Sequence, residues 1–278
     1  MGSDLTLYSF PASLCSQKVR LALSEKQVPY ENQLVDIEIR LKNFEPWYLR
    51  LNPRGVVPTL VHGDRIVTDS AHIIRYVDEA FDGPALIPES TYERESMERW
   101  IEEQDRLRIR ELTFSSFRGV IGFALRRVSM PLRVAKLRRL RDANPDLAGL
   151  YDAKIADVSQ WRASIASRPE IAGIRSDLET VLGRAEKQLA ETRYLAGGTY
   201  SLADVAWTSV LARLKMLGLA ESLWGAGRFP HVAAYYEQLR MRPSFALADI
   251  WEAKPSLKAR RVLLKSVISG SSAGRVGG

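Results

Sequence analysis

The first third of the chain alternates short β-forming stretches with helical ones. Residues 5–9 alternate apolar and polar side chains and are stopped by Pro11, which is typical of a strand. The run 16–26 is rich in helix formers, and residues 30–36 then have the pattern of a second strand. The order strand, helix, strand predicts the first half of a small α/β unit.

A hairpin and a helix are predicted to complete this unit. Two short β-rich runs, 59–61 and 65–68, flank a Gly-Asp pair, which is a hairpin signal. Residues 70–81 place apolar side chains on one face of a predicted helix. The pattern therefore predicts that residues 1–83 form one α/β domain.

The pattern changes beyond residue 84, where strand signals disappear and helical ones continue to about residue 250. We expect a domain boundary within 82–90 and an all-helical domain over 90–250. The clearest helix start is at Ser201, because Ser201 and Asp204 have the spacing of a capping box. The predicted helices are 91–125, 132–143, 147–166, 174–191, 201–217 and 229–240.

Composition narrows the classes of function. Hydrophobic residues make up 46% of the chain and charged residues 26%, as in globular proteins. No apolar stretch is long enough to cross a bilayer and the N-terminus lacks a signal-peptide pattern, so we expect a cytoplasmic location. Cys15 is the single cysteine and only three histidines occur, so neither a disulfide nor a metal site is expected.

Positive charge is concentrated at the C-terminus. Of the formal net charge of +7, six positive charges lie in residues 253–278, which contain no acid. The rest of the chain is nearly neutral, so no nucleic-acid partner is expected. Residues 251–278 are predicted to form a basic tail with disordered last residues. This tail either makes weak contact with an anionic membrane or forms a final helix packed on the protein.

Two further features of the helical half have alternative interpretations. The stretch 126–141 is rich in arginine and predicts either a helix with a solvated basic face or an amphipathic helix that binds an anionic surface. A set of large apolar side chains could line a pocket, although most of them are expected in the core. This set consists of Trp100, Phe114, Phe117, Phe123, Trp207, Met216 and Trp224.

Three stretches in a fixed order carry a resemblance to a known family: residues 7–23, 52–70 and 200–204. The sequence resembles the cytosolic glutathione transferase superfamily, and within it the zeta class. It is also similar to two groups related to that class, the reductive dehalogenases of chlorinated hydroquinones and the ganglioside-induced differentiation-associated proteins. The sequence departs from the zeta-class pattern at Leu14 and Gln17, where zeta enzymes have Ser and Trp.

The resemblance implies a glutathione transferase fold, with an α/β thioredoxin-like N-terminal domain and an all-α C-terminal domain. It implies glutathione as cofactor, a small aromatic or quinone-like electrophile as second substrate, and a homodimer. The expected reaction is conjugation or reductive dehalogenation. The alternatives are a maleylacetoacetate-type isomerase and a non-catalytic adaptor that uses a basic surface.

Ser13 and Cys15 are the catalytic candidates that this resemblance implies. A free thiol has a pKa of about 8.5, so glutathione needs a group that stabilises its thiolate at neutral pH. Both residues lie at the start of the helix expected near Ser16, where backbone N–H groups and the helix dipole favour negative charge. The alternatives are an ordinary N-cap serine and a small buried cysteine.

The candidates for holding glutathione are Lys42, Val57, Pro58, Asp69 and Ser70. A proline that opens a strand beside a groove favours a cis peptide bond, which would turn the backbone of Val57 towards an extended peptide. A serine N-cap at Ser70 would offer N–H groups to the γ-glutamyl carboxylate, and Lys42 could pair with the glycine carboxylate. The alternatives are an edge-strand proline, an ordinary helix cap and a solvated lysine.

Overall fold

The structure, a computed structural model, describes residues 4–117, 119–225 and 227–253. In these residues an α/β unit that contains a four-stranded sheet is followed by helices. The strands are β1 (Leu5–Ser9), β2 (Glu31–Leu34), β3 (Thr59–His62) and β4 (Arg65–Thr68). The helices are α1 (Leu14–Glu25), α2 (Pro46–Leu51), α3 (Ser70–Ala80), α4 (Thr91–Arg106), α5 (Ile109–Ser115), α6 (Gly119–Ala124), α7 (Met130–Ala143), α8 (Ala148–Ser164), α9 (Arg168–Glu191), α10 (Leu202–Met216), α11 (Ala220–Leu223), α12 (Pro230–Arg240) and α13 (Pro243–Leu247).

The sheet has the strand order β2-β1-β3-β4. β2 is parallel to β1, whereas β3 is antiparallel to both β1 and β4. The register pairs Ser9 with Leu34, Tyr8 with Thr59, and Thr59 with Thr68. The C-terminal ends of β1, β2 and β4 therefore lie beside the N-terminal end of β3. We call this end of the sheet, formed by these five residues, its upper end.

One core joins the sheet to the helical half. β1 alternates buried and half-buried residues, and its buried Leu7 packs in the same cluster as the apolar faces of α1 and α3. That cluster continues into α4 and α10, where the indole nitrogen of Trp207 donates to the carbonyl of Trp100 at 2.9 Å. Trp100 is only 8% exposed. It therefore belongs to the core, as expected for most of the large apolar side chains of the helical half.

The predicted helix 91–125 is wrong, because α4 ends at Arg106 and the backbone of Leu107 is extended. The break lets α5 place its apolar Ile109 and Leu112 in the core shared with α9, whereas a continuous helix would place them further along the axis of α4. Helix α9 also begins six residues before the predicted 174, because Ser167 caps it by accepting from the backbone N–H of Glu170 at 3.4 Å.

Several other predicted elements agree with the structure. The strands 5–9 and 65–68 and the capping box at Ser201 are confirmed, whereas α2 was not predicted at all. None of the helices in the described part of the chain is long and apolar enough to cross a membrane. The domain limits 1–83 and 90–250 stay predictions, and from residue 254 onward the predicted tail lies outside the described residues.

Candidate functional site

The upper end of the sheet brings the sequence candidates together. Ser13 follows β1, Val57 and Pro58 precede β3, and Asp69 and Ser70 follow β4. Neighbouring strands lie about 4.8 Å apart, and the register aligns these three strand ends. The three segments therefore leave the sheet side by side, although they are far apart in sequence.

Ser13 is the N-cap of α1, which begins two residues before the predicted start at Ser16. The Ser13 hydroxyl accepts from the backbone N–H of Ser16 at 3.3 Å, and its own proton makes no hydrogen bond within the described residues. Cys15 lies in the first turn of α1 as a half-buried free thiol. Both side chains are thus at a helix N-terminus, where negative charge is favoured.

The peptide bond between Val57 and Pro58 is cis, as predicted. The carbonyl of the preceding Val56 accepts from the hydroxyl of Tyr48 at 2.7 Å and from the side chain of Asn52 at 2.9 Å. Burial raises the pKa of Tyr48, so its hydroxyl stays protonated and can donate. In contrast, the backbone N–H and C=O of Val57 make no hydrogen bond within residues 4–117, 119–225 and 227–253.

Asp69, and not Ser70 as predicted, is the N-cap of α3. Its carboxylate accepts from the backbone N–H of Ala71 at 3.0 Å and from the guanidinium of Arg54 at 2.8 Å. Burial alone would raise the pKa of Asp69, but the hydrogen bonds from Arg54 and Ala71 outweigh it and lower the pKa. Asp69 has φ = 72°, a strained conformation that is often found at ligand sites.

Lys42 lies on the segment that leaves the upper end after β2. It is half-buried and is the first residue of a one-turn 3₁₀ helix, Lys42–Phe44, where its backbone N–H donates to Asp36 at 2.6 Å. The preceding Leu41 has φ = 54°, which turns the chain sharply into this helix. A role of Lys42 towards glutathione stays a prediction.

Helix α7 covers the same segment from the second half of the chain. The guanidinium of Arg133 donates to the carbonyl of Ile37 at 3.0 Å, and Lys136 donates to the carbonyl of Arg40 and to the carboxylate of Glu45, both at 2.6 Å. The basic stretch 126–141 is therefore not merely a solvated face, because part of it fastens the helical half to the sheet half.

Comparison with known proteins identifies the family. Residues 7–85 match the family profile of the glutathione S-transferase N-terminal domain, and residues 168–238 match that of the C-terminal domain. The chain is 33% identical over 247 residues to tetrachloro-p-hydroquinone reductive dehalogenase of Sphingobium chlorophenolicum, which covers 89% of this chain and 96% of that protein. This chain belongs to the glutathione S-transferase family.

Two further comparisons agree with this assignment. The chain is 29% identical over 277 residues to human ganglioside-induced differentiation-associated protein 1-like 1, covering 89% of this chain and 74% of that protein. The crystal structure of glutathione transferase F7 from Populus trichocarpa matches with a TM-score of 0.64 and 26% identity, covering 88% and 97% of the two chains. The expected glutathione transferase fold is confirmed, and the chain is an enzyme of the glutathione transferase type.

Glutathione, the co-substrate of this family, suits the groups at the upper end. It is an extended peptide, and Val57 offers an unused backbone N–H and C=O to such a peptide. Its γ-glutamyl end carries a carboxylate, and the N-terminus of α3 offers the backbone N–H of Ser70, which makes no hydrogen bond in the described part of the chain. Its thiol requires a donor, and Ser13 has a hydroxyl proton to give.

Three side chains that the sequence analysis missed hold the loop in front of α1 in this glutathione transferase. Gln17 donates to the carbonyl of Pro11 at 3.0 Å, Arg20 donates to the same carbonyl at 3.4 Å, and Arg213 donates to the carbonyl of Ala12. The departure from the zeta pattern at Gln17 was the one available signal. No sequence pattern near this loop indicates that Arg213, about two hundred residues further along the chain, will contact it.

Arg213, near the C-terminal end of α10, interacts with charges from the other half of the molecule. Burial lowers the pKa of Arg213, against the attraction of Glu38 and Cys15. The hydrogen bond from Arg213 to the carbonyl of Ala12 places this arginine beside the loop that leads to Ser13 and Cys15.

The aromatic set of the helical half belongs mostly to the core. Trp100, Trp207 and Trp224 are buried, and Phe114 packs edge-on against Trp161 with ring centroids 4.8 Å apart. Their positions therefore do not identify the second substrate.

Proposed function

We propose that this glutathione transferase joins the thiolate of glutathione to a small aromatic or quinone-like electrophile, by conjugation or with reductive removal of a halogen. The observation that carries this proposal is the convergence of Ser13, Val57 and Ser70 at the upper end of the sheet, with Cys15 on the adjoining helical turn. Supporting it, the Sphingobium relative is by name a reductive dehalogenase of a chlorinated hydroquinone.

Each candidate has a distinct role in the proposal. The hydroxyl of Ser13 donates a hydrogen bond to the sulfur, and the N-terminus of α1 stabilises the negative charge there. The backbone of Val57 pairs with the cysteinyl residue of glutathione. The first turn of α3, positioned by Pro58 and Asp69 on either side of the hairpin, holds the γ-glutamyl carboxylate, and Lys42 holds the glycine carboxylate.

The two routes differ in whether Cys15 reacts. In conjugation a carbon–sulfur bond forms and the carbon–halogen bond breaks, with its electron pair leaving on the halide. In the reductive route the Cys15 thiolate then attacks the sulfur of the aryl thioether, and the released electron pair on the ring takes up a proton. A second glutathione thiolate reduces the mixed disulfide on Cys15, so that two glutathiones end as one disulfide.

The test measures products from a chlorinated hydroquinone and from an activated chloronitrobenzene. Ser13→Ala should lower kcat/KM for both substrates by about 100-fold, because one hydrogen bond to the reacting sulfur is lost. Cys15→Ser should spare conjugation of the chloronitrobenzene. With the hydroquinone this variant should accumulate the aryl-glutathione conjugate in place of the dechlorinated product.

Two results would contradict the proposal and point to the alternatives. Retention on immobilised glutathione without turnover of any electrophile would favour the adaptor. Conversion of a maleylacetoacetate-type substrate with glutathione returned unchanged would favour the isomerase. Arg133 and Lys136 are already bound to the 37–45 segment, which leaves the adaptor a smaller free basic surface.

We also infer a two-fold homodimer, which is the usual assembly in this family. The outer face of β4 and α3 exposes 48% of Ile66 and contains a concave region of about 390 Å³ lined by Arg65, His72 and Tyr76. Sedimentation at micromolar concentration should give a dimer that Ile66→Lys weakens. A wild-type monomer at that concentration would contradict this inference.

The cytoplasmic location and the anionic membrane contact of the basic tail stay predictions, and we include a role in detoxification in the proposal. For the tail, deletion of residues 256–278 should lower co-sedimentation with anionic liposomes at low salt and leave turnover intact. A lower melting temperature with unchanged liposome binding would instead make the tail a structural part of the fold.

A further inference from the structure

Arg213, near the C-terminal end of α10, is a buried cation with few partners. Only 8% of the surface of Arg213 is exposed to solvent. One of its nitrogens, Nη2, donates to the carbonyl of Ala12, while its buried Nε has no partner. Within residues 4–117, 119–225 and 227–253, no carboxylate oxygen lies within 4.0 Å of this guanidinium.

Two other buried arginines, Arg20 and Arg133, also have one buried nitrogen without a partner, but each makes more hydrogen bonds than Arg213. Arg20 donates to the carbonyls of Pro11, Ala248 and Asp249. Arg133 donates to two carbonyls from the segment after β2. A guanidinium has five N–H donors, and a buried charge is unfavourable unless it is paired or fully hydrogen-bonded. Arg213 therefore lacks a partner that its burial requires.

The surroundings of Arg213 show which chemistry would supply that partner. Ala12 directly precedes Ser13, so the guanidinium touches the loop that carries the proposed thiolate donor. Cys15, in the first turn of α1, and Glu38 are the groups whose charges act on Arg213. The N-terminus of α1 adds positive potential on the same side. An anionic oxygen held beside this loop would complete the guanidinium's hydrogen bonds.

We infer that Arg213 binds an anionic oxygen of the electrophilic substrate, namely a phenolate or carboxylate on its aromatic ring. This inference rests on the proposed function and adds a specificity-determining residue to it. Charge-assisted hydrogen bonds from arginine to such oxygens are strong and directional. The enzyme should accordingly prefer an electrophile that carries a negative charge to a neutral one of the same shape.

The test compares 4-chloro-3-nitrobenzoate with 4-chloro-3-nitrobenzamide, which differ in charge but hardly in shape. Each rate is divided by the rate of the same compound with glutathione in the absence of enzyme. Arg213→Gln should lower the normalised kcat/KM for the benzoate by about 10- to 100-fold and for the benzamide by less than about threefold. Arg20→Gln, which removes another contact to the same loop, should affect both substrates equally.

An equal loss on both substrates in Arg213→Gln would overturn the inference, because it would show that Arg213 only positions the loop or the thiolate. A binding measurement makes the outcome independent of turnover. Calorimetry with the two product conjugates, S-(4-carboxy-2-nitrophenyl)glutathione and its carbamoyl analogue, should show tighter binding of the carboxylate in wild type and no preference in Arg213→Gln. If the carboxylate preference persists in the variant, the inference is wrong even where both conjugates bind. If neither conjugate binds wild type, the proposed function itself fails.

Discussion

Each end of helix α10 contains a buried charge, and the two charges differ in how many hydrogen bonds they make. At the first turn, the carboxylate of Asp204 is fully buried and accepts from the backbone N–H groups of Ser201 at 2.7 Å and Leu195 at 3.1 Å. It also accepts from the hydroxyls of Ser201 at 3.0 Å and Tyr235 at 2.6 Å. Near the last turn, the guanidinium of Arg213 has a single carbonyl partner in the described residues.

This difference separates a charge that stabilises the fold from one that serves the site. Asp204 is surrounded by donors of the helical half alone, so its hydrogen bonds secure the start of α10 and the segment before it. Arg213 joins the helical half to the loop in front of Ser13, where a ligand at the proposed site can provide the hydrogen-bond acceptor that the protein does not. A buried polar atom without a hydrogen-bond partner calls for an explanation, and a role at a functional site is one such explanation.

The largest effect is expected at the first turn of α10. Asp204→Ala would leave the donors from Ser201, Leu195 and Tyr235 buried without an acceptor, so the free energy of unfolding should fall by roughly 3–5 kcal/mol. Urea denaturation measures this loss, and Asp204→Asn, which keeps one carbonyl acceptor, should lose less. A loss below about 1 kcal/mol in the alanine variant would show that these hydrogen bonds do not secure the helix.

A much smaller effect on stability is expected at the other end. Arg213→Met removes a poorly paired buried charge and leaves one carbonyl without its donor, so the free energy of unfolding should stay within about 1 kcal/mol of wild type. Urea denaturation of this variant beside Asp204→Ala gives the direct comparison. If Arg213→Met destabilises the protein as strongly as Asp204→Ala, both ends of α10 are structural and the contrast between them disappears.

The smallest effect is expected for the exposed ion pair between Arg54 and Asp69 at the upper end of the sheet. Arg54→Ala should cost less than about 1 kcal/mol at pH 7, because both side chains are partly in solvent. Asp69 has a lowered pKa in the folded state, so the stabilisation exists above its unfolded pKa of about 3.9 and is lost as pH falls through the folded pKa. The difference in the free energy of unfolding between wild type and Arg54→Ala should therefore vanish at pH values below both the unfolded and the folded pKa of Asp69. A difference that persists undiminished in acid would assign the effect to packing of Arg54 instead.

Much of the fold could be predicted because its signals are local. The capping box from Ser201 to Asp204 involves residues three apart, and alternation along β1 reflects the geometry of a single strand. The sequence likewise located Ser13 and Cys15 at a helix start and indicated the cis bond before Pro58. Each of these features depends on a few neighbouring residues.

Only the tertiary structure decided the features that depend on distant residues. Pairing of β1 with β3 and of β3 with β4 aligned Ser13, Val57 and Asp69 at one end of the sheet. Folding of the helical half onto the sheet half placed Arg213 against Ala12, 201 residues earlier in the chain. Local propensity contains no information on which carbonyl an arginine of α10 will meet, because that contact forms only when two separately patterned halves bury their apolar faces in one core.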